Sequence, residues 1–120
     1  MNKFNLSDRT AIVTGGAQGF GLAMTKCFLN SGASVIIWDL DRTAAEDTIK
    51  KLNNPKLSST FIDVTNFEQV SAEVEKVTKN TKIDIFINNA GIAGKNTSVW
   101  NYPIDEWKKV LELNLNAVFY

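Results

Sequence analysis

The chain has 120 residues, 44% apolar and 22% charged, an ordinary balance for a soluble protein and enough for one domain at most. Its 13 lysines and arginines offset 13 aspartates and glutamates, so no net field recruits nucleic acid or an anionic membrane. The one cysteine, Cys27, has neither a disulfide partner nor a histidine with which to share a metal, which excludes a disulfide scaffold and a zinc centre and fits a reducing, cytoplasmic setting.

In chain order, "RTAIVTG" (9–15) is a short β-branched run ending at glycine, the pattern of a buried first strand. Leu22, Ala23, Cys27 and Phe28 then recur at helical spacing from about Phe20 to Ser31, with Gly32 where a left-handed cap is wanted. "ASVIIWD" (33–39) is a second strand, followed by a helix from Arg42 to Leu52 that Asn53, Asn54 and Pro55 close. "SSTFIDV" (58–64) is a third strand, and Thr65 with Glu68 has the spacing of a capping box heading a helix to about Lys79. "KIDIFINNAG" (82–91) is a fourth strand, and Pro103 or Ile104 opens a helix that runs to Tyr120. No stretch approaches the roughly 18 apolar residues that cross a bilayer, and no basic-then-apolar leader precedes the first apolar run.

Four strands alternating with helices, each strand a nearly continuous apolar run, predict an α/β fold with a parallel sheet covered on both faces. Residues 1–120 form one unit with no repeat and no linker. Ile104, Trp107, Leu111, Asn114 and Val118 share a face of the last helix, too apolar at Trp107, Leu111 and Val118 to stand free. The expectation is that this is the N-terminal part of a longer protein, with that face covered by further sequence or by a partner chain.

The stretch "TGGAQGFG" (14–21) concentrates glycines between a strand and a helix. Gly15 makes the tight turn, Gly19 admits a diphosphate to the helix N-terminus, and Gly21 lets the helix pack closely. Gly16, Ala17, Gln18 and Phe20 complete the loop, whose amides and helix dipole form an anion site without a lysine. The alternative is a merely tight loop. Asp39 ends the second strand, 18 residues after Gly21, where a carboxylate accepts hydrogen bonds from ribose hydroxyls and repels a 2′-phosphate. NAD is therefore expected over NADP, although Arg42 lies close enough to blur the preference. A solvated strand end or a helix cap is the plainer reading of Asp39.

Thr14 to Gly21 with spacing T-G-x-x-x-G-x-G, Asp63 and Val64 after the third strand, and "NNAG" (Asn88 to Gly91) after the fourth together resemble the short-chain dehydrogenase/reductase family in its compact branch. The resemblance covers essentially the whole chain. It implies a Rossmann-type, doubly wound parallel sheet with the first and fourth strands adjacent and the fourth, within this chain, at the edge. It also implies that Asp63 and Val64 contact the adenine while Asn89, Ala90 and Gly91 pass beneath the cofactor. Without the resemblance, Asp63 reads as a helix-start carboxylate and "NNAG" as a turn.

In the same family, the asparagine that stands here as Asn114 in "NLNAVF" (114–119) belongs to the active-site tetrad and helps hold a water for proton relay. On physical grounds alone it is a polar group among apolar ones that needs a partner, such as a neighbouring backbone. Family chemistry is hydride exchange between nicotinamide and an alcohol or carbonyl carbon, with a tyrosine and a lysine four positions apart and a serine. Tyr102 is followed by Glu106, Tyr120 is the last residue, and Ser98 is not at the family position, so this stretch alone is expected to be inactive. A polyol, sugar or 3-oxoacyl substrate is expected, with Trp100 and Tyr102 as candidates for one pocket wall, and the last helix is expected at a dimer or tetramer contact. The rival from another class is a non-catalytic NAD-binding module.

Overall fold

The computed structural model describes residues 4–120. Strand β1 is Thr10–Thr14, helix α1 Gly19–Asn30, β2 Ser34–Asp39, α2 Arg42–Leu52, β3 Leu57–Phe61, α3 Phe67–Thr78 and β4 Ile85–Ile87. A 3-10 turn at Val99–Asn101 precedes α4 at Ile104–Leu111, a π turn at Glu112–Asn116 and a short α5 at Ala117–Phe119. The four strands are parallel in the order β3-β2-β1-β4. The chain builds outward from β1 to β3, then crosses back to lay β4 on the other side of β1. The doubly wound architecture and the β1–β4 pairing are as expected, and the reversal at β1 makes a crevice beyond the strands' carboxyl ends.

Both faces of the sheet are covered, which is why the strands read as continuous apolar runs. Ala11, Val13, Val35, Ile37 and Leu57 pack with Leu29 of α1 and Ala45 of α2. Ile12 and Trp38 point the other way and join Ile62 and Val70 of α3. Trp38 is fully buried and meets the Phe86 ring edge-on at 5.4 Å. Gly32 at φ +94° and Asn53 at φ +42° terminate α1 and α2 in the left-handed region that Gly and Asn tolerate.

Of the boundaries that differ from expectation, three lie where a side chain takes a backbone group. Strand β3 stops at Phe61, and the Asp63 carboxylate turns back to accept from the Thr65 amide at 2.9 Å and hydroxyl at 2.7 Å. With Thr65 so engaged, Asn66 caps α3 by accepting from the Gln69 amide at 3.0 Å, and the expected Thr65–Glu68 box does not form. Strand β4 ends at Ile87, because the Asn89 amide turns to the Thr14 hydroxyl at 2.9 Å instead of continuing the ladder. The last helix is interrupted by the π turn around Asn114. Its apolar face is open, with Ile104 71% and Trp107 55% exposed.

At the amino end of the sheet, Asp84 staples β4 to β1. Its carboxylate accepts from the Thr10 amide at 3.0 Å and pairs with Arg9 at 2.9 Å and Lys82 at 3.0 Å. The Thr10 amide first, then the Lys82 and Arg9 cations, hold its pKa well below the ordinary 3.8. A carboxyl depressed in the folded state stabilises above its unfolded pKa, and that contribution is lost as pH falls through the folded value. The stability gap between wild type and Asp84→Asn is therefore expected to be constant above about pH 5 and to shrink as pH falls below about 4. Denaturant melts at several pH values check this, and a gap that persists unchanged at pH 2 refutes it.

At the opposite end, the Thr14 hydroxyl, almost fully buried, donates to the Ile87 carbonyl at 3.2 Å and accepts from the Asn89 and Ala90 amides, each at 2.9 Å. Thr14→Val keeps the shape and strands all three groups, so a loss of roughly 2–4 kcal/mol is expected in chemical denaturation, largely restored in Thr14→Ser. Equal stability of the Val variant and wild type would refute this account of the β1–β4 junction.

Candidate functional site

The crevice at β1 and β4 is lined by the glycine turn. Gly15 adopts φ +62°, and a side chain there would press on the Asn89 side-chain Nδ2 at 3.1 Å and the Ala90 backbone at 3.3 Å. Gly19 adopts φ +52° with nothing within 4 Å of where a Cβ would stand, so the backbone there is open to a ligand. A Cβ on Gly21 would collide with the Gly15 carbonyl and the Asn89 side-chain Nδ2. Its close packing is thus against the turn and the extension of β4. Gly16 is buried against Thr25 and Ile37.

The turn is held by its carbonyls. Asn89 Nδ2 donates to Thr14 O at 3.0 Å and Gly15 O at 3.2 Å, Thr25 Oγ1 to Gly16 O at 3.2 Å, and Thr48 Oγ1 to Ala17 O at 3.1 Å. Four successive carbonyls are thereby drawn into the protein. At the start of α1, Gln18 provides no side-chain cap and the first turn carries no acidic residue. Most helices satisfy such amides with their own side chains. Here the dipole's positive end and the open space at Gly19 fit a phosphate-bearing ligand.

Beside the turn, Asp39 is half-buried at the end of β2. Its Oδ2 accepts from the Ala17 amide at 3.2 Å and its Oδ1 from the Asp41 amide at 2.9 Å. It does not cap α2; Asp41 does, accepting from the Ala44 amide at 2.9 Å. One lone pair on each Asp39 oxygen is so occupied, and the other remains for a ligand. Arg42 lies over the Phe61 ring at 4.9 Å, and both border a cleft of about 210 Å³ with Asp39 and Glu46.

Asp63 and Val64 follow β3, two strands from the crevice. Val64 packs its side chain on the core cluster of Ile12 and Trp38. On the other side of β1, Asn89 works inward as described, and Gly91 lies 3.2 Å, at its would-be Cβ, from the Asn114 carboxamide oxygen. Asn114 Oδ1 accepts from the Ile92 amide at 2.9 Å, and its Nδ2 donates to the Ile92 carbonyl at 2.8 Å. A two-way clasp with a neighbouring backbone thus occupies the side chain, at an exposed position within the π turn. Further along the loop, the Tyr102 hydroxyl accepts from the Lys95 amide at 3.0 Å and lies against Gly94, at φ +73°, while its ring meets Trp107 edge-on. Tyr102 supports the loop, and Trp100 is the aromatic left exposed, at 85%.

The structure brings Gly15–Gly21, Asp39 and Asn89–Gly91 to one edge of the sheet, with Asn114 anchoring the next residue of the same loop. Sequence reasoning missed Thr25, Thr48 and Asp41. The two threonines left a signal, as hydroxyls on otherwise apolar inward helix faces that require partners. Among the described residues, no group of three or more histidine, cysteine or acidic side chains is placed to hold a metal ion.

Known proteins match this arrangement. The family model described as short chain dehydrogenase matches residues 9–120. The 3alpha-hydroxysteroid dehydrogenase of Mediterraneibacter gnavus is 34% identical over 119 residues, covering 95% of this chain and 47% of that protein. The NAD-dependent glycerol dehydrogenase of Listeria innocua is 37% identical over 119 residues, covering 97% of this chain and 45% of that protein. The solved RhlG/NADP active-site complex of Pseudomonas aeruginosa superposes with a TM-score of 0.87 at 30% identity, covering 99% of this chain and 47% of that one. The chain spans about half the length of the curated relatives it matches. The glycine turn, the parallel strands and the β4 extension all lie within the matched residues, and the chain belongs to the short chain dehydrogenase family.

Proposed function

We propose that the protein carrying this chain is an NAD-dependent oxidoreductase that exchanges a hydride between the nicotinamide ring and an alcohol or carbonyl carbon of a small polyol, sugar or 3-oxoacyl substrate. The observation that carries the reading is Asp39, a carboxylate hydrogen-bonded to the Ala17 amide beside an α1 N-terminus that no side chain caps. In this reading the amides of Gly15–Gly21 bind the diphosphate, and Asp39 accepts from the adenosine ribose hydroxyls. Asp63 and Val64 border the adenine, and Asn89, Ala90 and Gly91 form the floor beneath the dinucleotide. The relatives' names include both an NAD-dependent enzyme and an NADP complex. The Asp39 charge supports NAD here, since a 2′-phosphate would meet it directly.

When bound, the dinucleotide supplies the hydride carrier. The chain's own residues bind and orient it. Asn114 clasps Ile92 and so holds the loop after β4 in place, and the remaining Oδ1 lone pair and Nδ2 hydrogen are left to help hold a water for proton relay. Tyr102 is engaged by Lys95 and is followed by Glu106 four positions on, so we assign the acid–base tyrosine and lysine to the protein beyond these residues and expect the 120-residue stretch to be inactive by itself. We place the enzyme in the cytoplasm as a dimer or tetramer, a contact supported by the exposed apolar face of α4.

Fluorescence titration of the whole protein with NADH and NADPH tests the reading. Asp39→Ala is expected to lower the NADH-over-NADPH preference by at least about tenfold, equivalent to roughly 1.4 kcal/mol, and an unchanged ratio would remove Asp39 from the ribose site. Gly19→Val places a branched side chain in the open seat at a left-handed φ. NADH affinity is expected to fall by about 100-fold or more, well beyond any change in melting temperature, and retained affinity would refute the diphosphate assignment.

A further inference from the structure

The Ala17 peptide is gripped at both ends. Its N–H donates to Asp39 at 3.2 Å, and its carbonyl accepts from Thr48, on α2, at 3.1 Å. Asp39 is in turn held by the Asp41 amide at 2.9 Å. The Asp41 side chain starts α2 by accepting from Ala44 at 2.9 Å, and its second oxygen accepts from Gln18 Nε2, in the glycine loop, at 3.3 Å. These contacts close a ring that runs from the glycine loop to Asp39, on to Asp41 and α2, and back to the loop. The ring joins the element assigned to the diphosphate to the element assigned to the ribose.

We propose that Asp41 is a positioning residue for dinucleotide recognition: through its amide, its cap on α2 and its link to Gln18, it aims the free lone pairs of Asp39 at the ribose diol. The proposal deepens the NAD assignment and rests on it. Recognition of a vicinal diol by one carboxylate needs both oxygens oriented at once, and a carboxylate free to rotate about χ2 loses that pairing. Each Asp39 oxygen is fixed by one protein N–H, one from each side of the ring, so its rotation is arrested before the ligand arrives. Asp41 has no apolar burial to explain it. It is exposed, and its two oxygens serve two different elements.

The test is titration of the whole protein, wild type and variants, with NADH and NADPH, alongside melting temperatures. Asp41→Ala is expected to weaken NADH about five- to twentyfold and NADPH by much less, so that the preference ratio falls, while Asp41→Asn, which keeps the cap acceptor, stays within about threefold of wild type. Gln18→Leu, which cuts only the loop link, is expected to weaken NADH about two- to threefold with no change in melting temperature. If Asp41→Ala does not fold, Asp41→Ser retains the cap, lacks the second oxygen and must show the Gln18→Leu loss. NADH affinity and preference ratio unchanged in Asp41→Ala, or in Asp41→Ser where that replaces it, would overturn the proposal, as would equal losses for both dinucleotides in step with melting temperature. A wild-type protein that binds neither dinucleotide would instead overturn the NAD assignment on which the proposal stands.

Discussion

Where β1 ends, one buried hydroxyl and one carboxamide hold three parts of the molecule together. Thr14 Oγ1 takes the amides that follow β4 and gives its proton to the last β4 carbonyl, while Asn89 reaches back across to the Thr14 and Gly15 carbonyls. Without this exchange, β4 would be held against β1 by three ladder residues and the Asp84 contacts at the far end, and the glycine turn would lack its inner support. Buried backbone groups must find partners. At this junction they find them in side chains because the strands diverge and the sheet ladder can no longer supply them.

The open character of the crevice follows from that junction. Asn89, Thr25 and Thr48 draw four consecutive carbonyls of the turn inward, and the first amides of α1 are left without a side-chain cap. The helix start thus offers amides with no side-chain cap at an exposed position, where an anionic ligand can take them up. Asp39 is the counterpart of opposite sign, fixed by amides on both flanks. A set of backbone donors and a carboxylate acceptor then stand on neighbouring elements, which is the basis of the proposed dinucleotide site.

Beyond β4 the support comes from single polar contacts. Asn114 clasps Ile92, and Tyr102 seats Lys95 beneath the turn at Gly94. The π turn around Asn114 shifts the following residues out of the regular helical phase. The single amphipathic face expected through Val118 is therefore broken into an α4 part, with Ile104 and Trp107, and a separate C-terminal part.

The sequence by itself determined the α/β class, the four strands and the glycine turn, and it pointed to Asp39 and the residues after β3 and β4 as site candidates, because apolar runs, glycine spacing and strand-end carboxylates are local patterns. Helix ends at Gly32 and Asn53 were legible for the same reason, since a left-handed backbone restricts residue type wherever it occurs. Only the tertiary structure decided where β3 and β4 stop, that Asn66 displaces Thr65 as a cap, that Asp41 and not Asp39 caps α2, and that Asn89 and Asn114 turn their side chains to backbone. Each of those outcomes is a competition between a side chain and the backbone for one hydrogen-bonding group. At the caps the rivals are neighbours and the choice among them turns on local geometry, whereas Thr14 and Asn89 meet across 75 residues at 2.9 Å, a closeness that spacing along a chain does not encode.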